Sequence, residues 1–244
     1  MWLFKAQFYC GLVFWSWSAS SAPLIERSGR FEVNWSTGKV RFYGTSMVSD
    51  RTGDSWRSAE QRAWSDGLSY LQSTPIKSMC GHTPKGLQAS KVLSNPLGLV
   101  SSVNTTYYGD SRIRVTLESQ LDDLFRQNNA TNSGRNLSPA GERVGLIIKL
   151  SNKSGPLAAF SVVDETGQAL VSCEDIANGT SNGTALNRWF KSSIGSGDLK
   201  GSQNDTPKIT ADNSAFGVLK VKKSEWRPEF QAAIERGHAV LVVP

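Results

Sequence analysis

Side chains that commonly do chemistry are scarce in this sequence. Histidine occurs as His82 and His238 alone, and cysteine as Cys10, Cys80 and Cys173. Cys80-x-His82 places two metal-ligand types in a stretch bounded by Gly81 and Pro84. A structural zinc site takes four ligands at recognisable spacings, and no second pair stands near this one, so the stretch reads as a loop. His238 follows Gly237 and reads as a strand-edge residue, or as a favourable charge where a helix ends. The carboxylates fall in adjacent pairs, Asp122-Asp123, Asp164-Glu165 and Glu174-Asp175. Neighbours on a strand point to opposite faces, so these read as turn or cap residues and not as an acid/base pair. Asp175 is the expected cap of a following turn. There is no G-x-S-x-G elbow and no phosphate loop ending in Gly-Lys-Ser/Thr. Gly195-Ser196-Gly197 with Gly201 has the wrong spacing for a dinucleotide loop and reads as surface. No catalytic residue, cofactor site or metal ligand is therefore assigned, and no cofactor is expected.

Composition narrows the class further. The formal net charge is +6, but Lys and Arg are scattered, apart from Lys220, Lys222 and Lys223 with Arg227. A nucleic-acid surface needs clustered cations with exposed aromatics and a recognisable motif, so none is expected. The 20% charged fraction sits beside abundant Ser, Asn, Gly and Thr, a polar and weakly charged surface that suits exported proteins. Residues 1–22 read as a secretory signal peptide: Lys5, an apolar and aromatic run over 8–17, then small residues over 18–22. The run falls short of the ~20 residues of a membrane span. Cleavage is expected after Ser20 or Ala22, an uncleaved anchor being the alternative. No later stretch reaches spanning length. With the signal removed, Cys80 and Cys173 form an even pair. In an oxidising compartment that pattern suggests a disulfide, the alternative being two buried thiols.

The stretch that positions the rest is 33–71. Residues 33–45 are rich in β-branched and aromatic types, with Gly38 as a break, and read as strand. From Asp54, taken as N-cap, to Leu71 the pattern is an amphipathic helix. Trp56, Ala59, Ala63, Gly67, Tyr70 and Leu71 share its inner side, and the small members of that stripe let the helix lie close to a sheet. Pro75 limits it. A turn at Gly109-Asp110 leads into the alternating strand 112–117, followed by a short helical turn over 121–126. Residues 127–141 are polar, contain Gly and Pro, and read as a linker. The apolar run 144–148 opens the second half. A hairpin turns at Gly167, a short helix is expected over 185–190, and a strand over 208–210. A helix follows Pro228 and stops at Gly237, and 238–243 closes as a strand. The expected fold is α+β. It has two small domains, 28–126 and 142–244, each a mainly antiparallel or mixed sheet with one or two packed helices.

The order of these features resembles one family. Asn34-Trp35-Ser36-x-Gly38, then Ala59, Ala63 and Asp66, resemble the FlgP/FlgT-type family of bacterial envelope proteins, although Gly67 stands where that family favours Ala. The segments 145–148, 163–167 and 237–243 resemble its C-terminal strands, so the likeness spans most of 33–243. It implies periplasmic or outer-membrane-associated proteins that form rings around the flagellar basal body or assist its assembly. Some members are lipoproteins, but Cys10 follows Gln-Phe-Tyr and lacks the lipoprotein box. The expected function is thus non-enzymatic. It is an exported protein of the periplasm or outer-membrane periphery, acting by self-assembly or by binding other envelope proteins. The competing expectation is a secreted hydrolase or ligand-binding protein with an unrecognised site.

Overall fold

The computed structural model describes residues 22–50, 52–73, 100–125, 144–181, 184–194, 205–215 and 217–244. It is mixed α+β and built on two sheets. The expected linker 127–141, Cys80 and His82 lie outside the described residues.

The first sheet contains β2 (Ile25–Ser28), β3 (Phe31–Asn34), β4 (Lys39–Met47), β5 (Val100–Tyr107) and β6 (Arg112–Gln120). Their order is β2-β3-β4-β6-β5, antiparallel throughout. Alternation fixes which face is dry: Val40 and Phe42 on β4 and Ile113, Val115 and Leu117 on β6 are buried, and their neighbours are not. Across that dry face lies α1 (Gly53–Ser73), packed on β4 and β6. Its small stripe does what the pattern predicts. A Cβ on Gly44 of β4 would collide with the Ala63 carbonyl oxygen and the Gly67 amide nitrogen, so helix and strand meet backbone to backbone. The helix starts one residue before Asp54. Thr52 takes the capping role, its hydroxyl accepting from the Ser55 amide at 3.4 Å. Asp50 supports this turn by accepting from the Thr52 amide and hydroxyl. Hydrogen bonds from Ser55 and Thr52 hold its carboxyl down at about 2.

The second sheet runs β1-β10-β13-β7-β11-β12-β8-β9. Its members are β1 (Ala22–Pro23), β7 (Leu146–Leu150), β8 (Ser161–Val163), β9 (Ala169–Val171), β10 (Arg188–Lys191), β11 (Lys208–Ala215), β12 (Val218–Val221) and β13 (Ala239–Val243). The central strands β10, β13, β7 and β11 are mutually parallel. Parallel strands covered on both faces read as continuous apolar runs, which is why 146–148 and 239–243 show no alternation. Two further helices belong to this half, α3 (Cys173–Ser181) and α4 (Pro228–Glu235); the short α2 (Leu121–Phe125) follows β6. Gly237, at φ +71°, ends α4 as predicted, with the His238 amide returning to the Ala233 carbonyl at 2.8 Å.

Two expectations fail here. Asp175 is no cap but lies inside α3, whose start Ser172 holds by accepting from the Glu174 amide. The second concerns 185–190. Residues 185–190 do not form a helix; Arg188–Lys191 is β10. Leu186, Trp189 and Phe190 imitate a helical face by spacing. In fact Trp189 enters the main core, while Phe190 packs on the other side of the sheet with Ile147, Val240 and Val242. The main core is one cluster that takes residues from both sheets.

Candidate interaction surface

The sequence-flagged groups mostly serve the scaffold. Cys173 begins α3, is buried and is disulfide-bonded. Among the described residues no group of three or more His, Cys, Asp or Glu side chains is placed to hold a metal ion. Asp164 is buried in its turn, where Oδ1 accepts from the Thr166 amide at 2.9 Å, the Thr166 hydroxyl at 2.5 Å and the Gln168 amide at 2.9 Å. The Thr166 hydroxyl, working against burial, holds this carboxyl below the usual range. The basic cluster is engaged locally. Lys223 Nζ donates to Gln168 at 3.2 Å and stands 3.6 Å from Asp164 Oδ2. Lys222 meets Glu225, and Arg227 meets Glu229.

Asp122 departs from its reading as a simple turn residue. Its Oδ1 accepts from the Leu186 amide at 2.9 Å and its Oδ2 from Arg188 Nη2 at 2.7 Å. One carboxylate at the end of the first sheet thus fastens the start of β10 in the second. The Asn34-Trp35-Ser36-x-Gly38 segment forms the other side of that seam. Asn34 Oδ1 accepts from the amides of Ser36 and Thr37, closing the turn. Ser36 Oγ donates to the Trp189 carbonyl at 2.6 Å and accepts from the Leu24 amide at 2.9 Å. Trp35 is buried, with Nε1 on Glu26, and its carbonyl receives the Trp189 amide. Gly38, at φ +69°, leaves the space that the Arg188 guanidinium occupies; a Cβ there would strike it. The Asn34–Gly38 segment thus helps join the two sheets.

The strongest candidate for function is the face of the first sheet turned away from α1. Lys39, Arg41, Tyr43 and Thr45 of β4 lie beside Arg112, Arg114, Thr116 and Glu118 of β6, with Asn104 and Thr106 of β5 next to them. Most of its charges are matched. Glu118 receives Lys39 Nζ and Arg41 Nε, each at 2.8 Å. Burial pushes the Glu118 carboxyl up, but these two cations outweigh it and hold the group below its usual range. Arg27 pairs with Glu32, and Arg112 with Asp110. Arg114 is different. Its guanidinium lies between two rings, 4.3 Å from the Tyr43 centroid and 5.5 Å from that of Tyr108, while Arg112 covers Tyr108 at 5.2 Å. Its buried Nε has no hydrogen-bond partner. The alternation of 112–117 marked Arg112 and Arg114 as outward. It gave no sign of the stack, because Tyr43 reaches it from another strand.

Beside this face runs the edge strand β5, Val-Ser-Ser-Val-Asn-Thr-Thr-Tyr, which has no charge and no proline. Its pairing with β6 shifts register between Ser102 and Asn104, a bulge at Val103. Met47, Val103 and Tyr107 are the large hydrophobics left exposed among the described residues, and all belong to this sheet. Tyr107 leans toward α1, edge-on to Trp56 and hydrogen-bonded to Glu60. No described helix is long and apolar enough to cross a membrane. No family model matches the chain, and no curated protein matches it.

Proposed function

We propose that this chain is an exported, non-enzymatic envelope protein that works by binding other protein chains. The observation that carries the reading is the one-sided first sheet. α1 covers one face, the other exposes Arg41, Thr45 and Arg112, and the exposed hydrophobics gather on β4 and β5. Exposed apolar side chains next to an uncharged strand edge are features of a docking surface. The disulfide at Cys173 supports export, since such bonds persist in oxidising compartments. Ala22 pairs with Lys191, which favours signal cleavage after Ser20. Assembly around a flagellar basal body is the specific role that the FlgP/FlgT-type likeness supplies.

Cell fractionation followed by amine crosslinking tests the reading. The chain is expected in the periplasmic or membrane fraction, in crosslinked species larger than itself. Recovery in the cytosol overturns export. A chain that stays monomeric in the crosslinked envelope overturns the binding role. Non-reducing peptide mapping makes a separate prediction. A peptide joining Cys80 to Cys173 is expected, and an alkylatable Cys80 in native protein rejects that pairing.

A further inference from the structure

We infer that the β5 edge and the Tyr43–Arg114–Tyr108 stack together dock one extended, acidic segment of a partner protein. This deepens the protein-binding reading above and rests on it. Three observations lead to it. The edge strand offers main-chain groups over Val100–Tyr107, and no described strand pairs with its outer side. An extended segment adding there gains main-chain hydrogen bonds, while side-chain pockets alongside give selectivity. Next, the register places Thr106 of β5 opposite Arg114 of β6. Strands lie about 4.8 Å apart, so a side chain on an added strand beside Thr106 starts roughly 10 Å from the Arg114 backbone. A Glu side chain on the added strand covers about half of that gap, and the Arg114 guanidinium meets it by turning from Tyr43, on the β4 side, toward β5. Ser101, Asn104 and Thr106 put short side chains along the way, and Tyr108, just past the end of the strand, stands beside it. Finally, among the described residues of this face Arg114 is the cation with no carboxylate beside it; it stacks against two rings, and its buried Nε has no hydrogen-bond partner. A guanidinium without a counter-charge is suited to a carboxylate, with which it forms paired hydrogen bonds.

The same charges argue against a second copy of this chain as the occupant. β5 contains no Asp or Glu, so two such edges pairing would leave Arg114 of each copy without a counter-charge. The net charge of +6 adds to the repulsion.

The test is titration of the full mature chain with a fluorescent peptide of alternating Thr and Glu, against the matching Thr/Gln peptide. Saturable binding of the Glu peptide is expected, with amide shifts centred on 100–107. Arg114→Gln should weaken it by about tenfold or more, the effect of losing a charge-assisted pair. Arg114→Lys should recover only part, since the charge returns without the stacked fork. Should Arg114→Gln fail to fold, Thr106→Glu, an exchange on the edge itself, is expected to repel the same peptide. Equal affinity for the Gln peptide overturns the inference, as does no saturation at millimolar peptide or indifference to Arg114. A concentration-dependent dimer abolished by Val103→Lys also overturns it, in favour of a second copy. If any of these occurs while envelope crosslinks persist, the docking site fails and the binding role stands; loss of the crosslinks fails both.

Discussion

Asp122→Ala is expected to lower the unfolding free energy by about 3–5 kcal/mol, the range for breaking one side of a buried ion pair. The side chains of Arg188 and Asp122 are only 12% and 7% exposed, so little water is on hand to replace the lost partner. Two groups are orphaned at once. The Leu186 amide loses its acceptor, and the guanidinium loses its counter-charge inside the slot that Gly38 leaves open. Asp122→Asn should fall in between, because an amide oxygen still serves Leu186 but the charge is gone. Arg27→Ala is the contrast. Its pair with Glu32 has side chains 70% and 27% exposed, and such surface pairs are worth under about 1 kcal/mol. Urea unfolding of the three variants measures the order. A loss near 1 kcal/mol for Asp122→Ala would mean that the seam between the sheets is held by apolar contact and not by this carboxylate.

That seam also marks the limit of what the sequence discloses. Elements with a local period are readable: α1 from its small stripe, β6 from strict alternation, α4 from Pro228 and Gly237. The α+β class with sheet-based parts follows from them and is what the structure has. Where both faces are buried, the period disappears. β10 places Trp189 in one core and Phe190 in another, and consecutive apolar residues then look as much like a helix as a strand. α3 escapes notice for a different reason. Asn178, Gly179 and Thr180 are poor helix formers, and the helix rests on burial of Ile176 and on Ser172 at its start, whose hydroxyl accepts from the Glu174 amide. Groups whose roles depend on distant chain are the least legible. Asp122 meets partners more than sixty positions away, and Tyr43 and Arg114 are brought together only by the pairing of β4 with β6. Asp122 sits in the first turn of α2, not in a loop turn, and nothing local announces the partners of its side chain.

Gly44→Val is expected to cost at least about 3 kcal/mol, above the usual 1–3 kcal/mol of overpacking a core. The reason is the nature of the neighbours. Most overpacked sites relax by moving a side chain to another rotamer. A Cβ at residue 44 meets the Ala63 carbonyl and the Gly67 amide, which are backbone groups of α1 and have no rotamers. The helix must lift, and Ala59, Ala63 and Leu71, all fully buried, then lose contact together. Gly67→Ala across the same gap is the control. Its Cβ would sit 3.0 Å from the Gly44 amide nitrogen and 3.0 Å from Leu117 Cδ1, so a few tenths of an ångström must be found. A helix-interior Gly→Ala change also gains about 1 kcal/mol of propensity, so the two effects should nearly cancel. Circular dichroism and urea unfolding distinguish the outcomes: Gly67→Ala close to the parent, Gly44→Val strongly destabilised or unfolded. If both are mild, α1 is not held against the sheet at this distance. The dry face would then be no better fixed than the open one, and the asymmetry from which the docking surface is read would lose its structural cause.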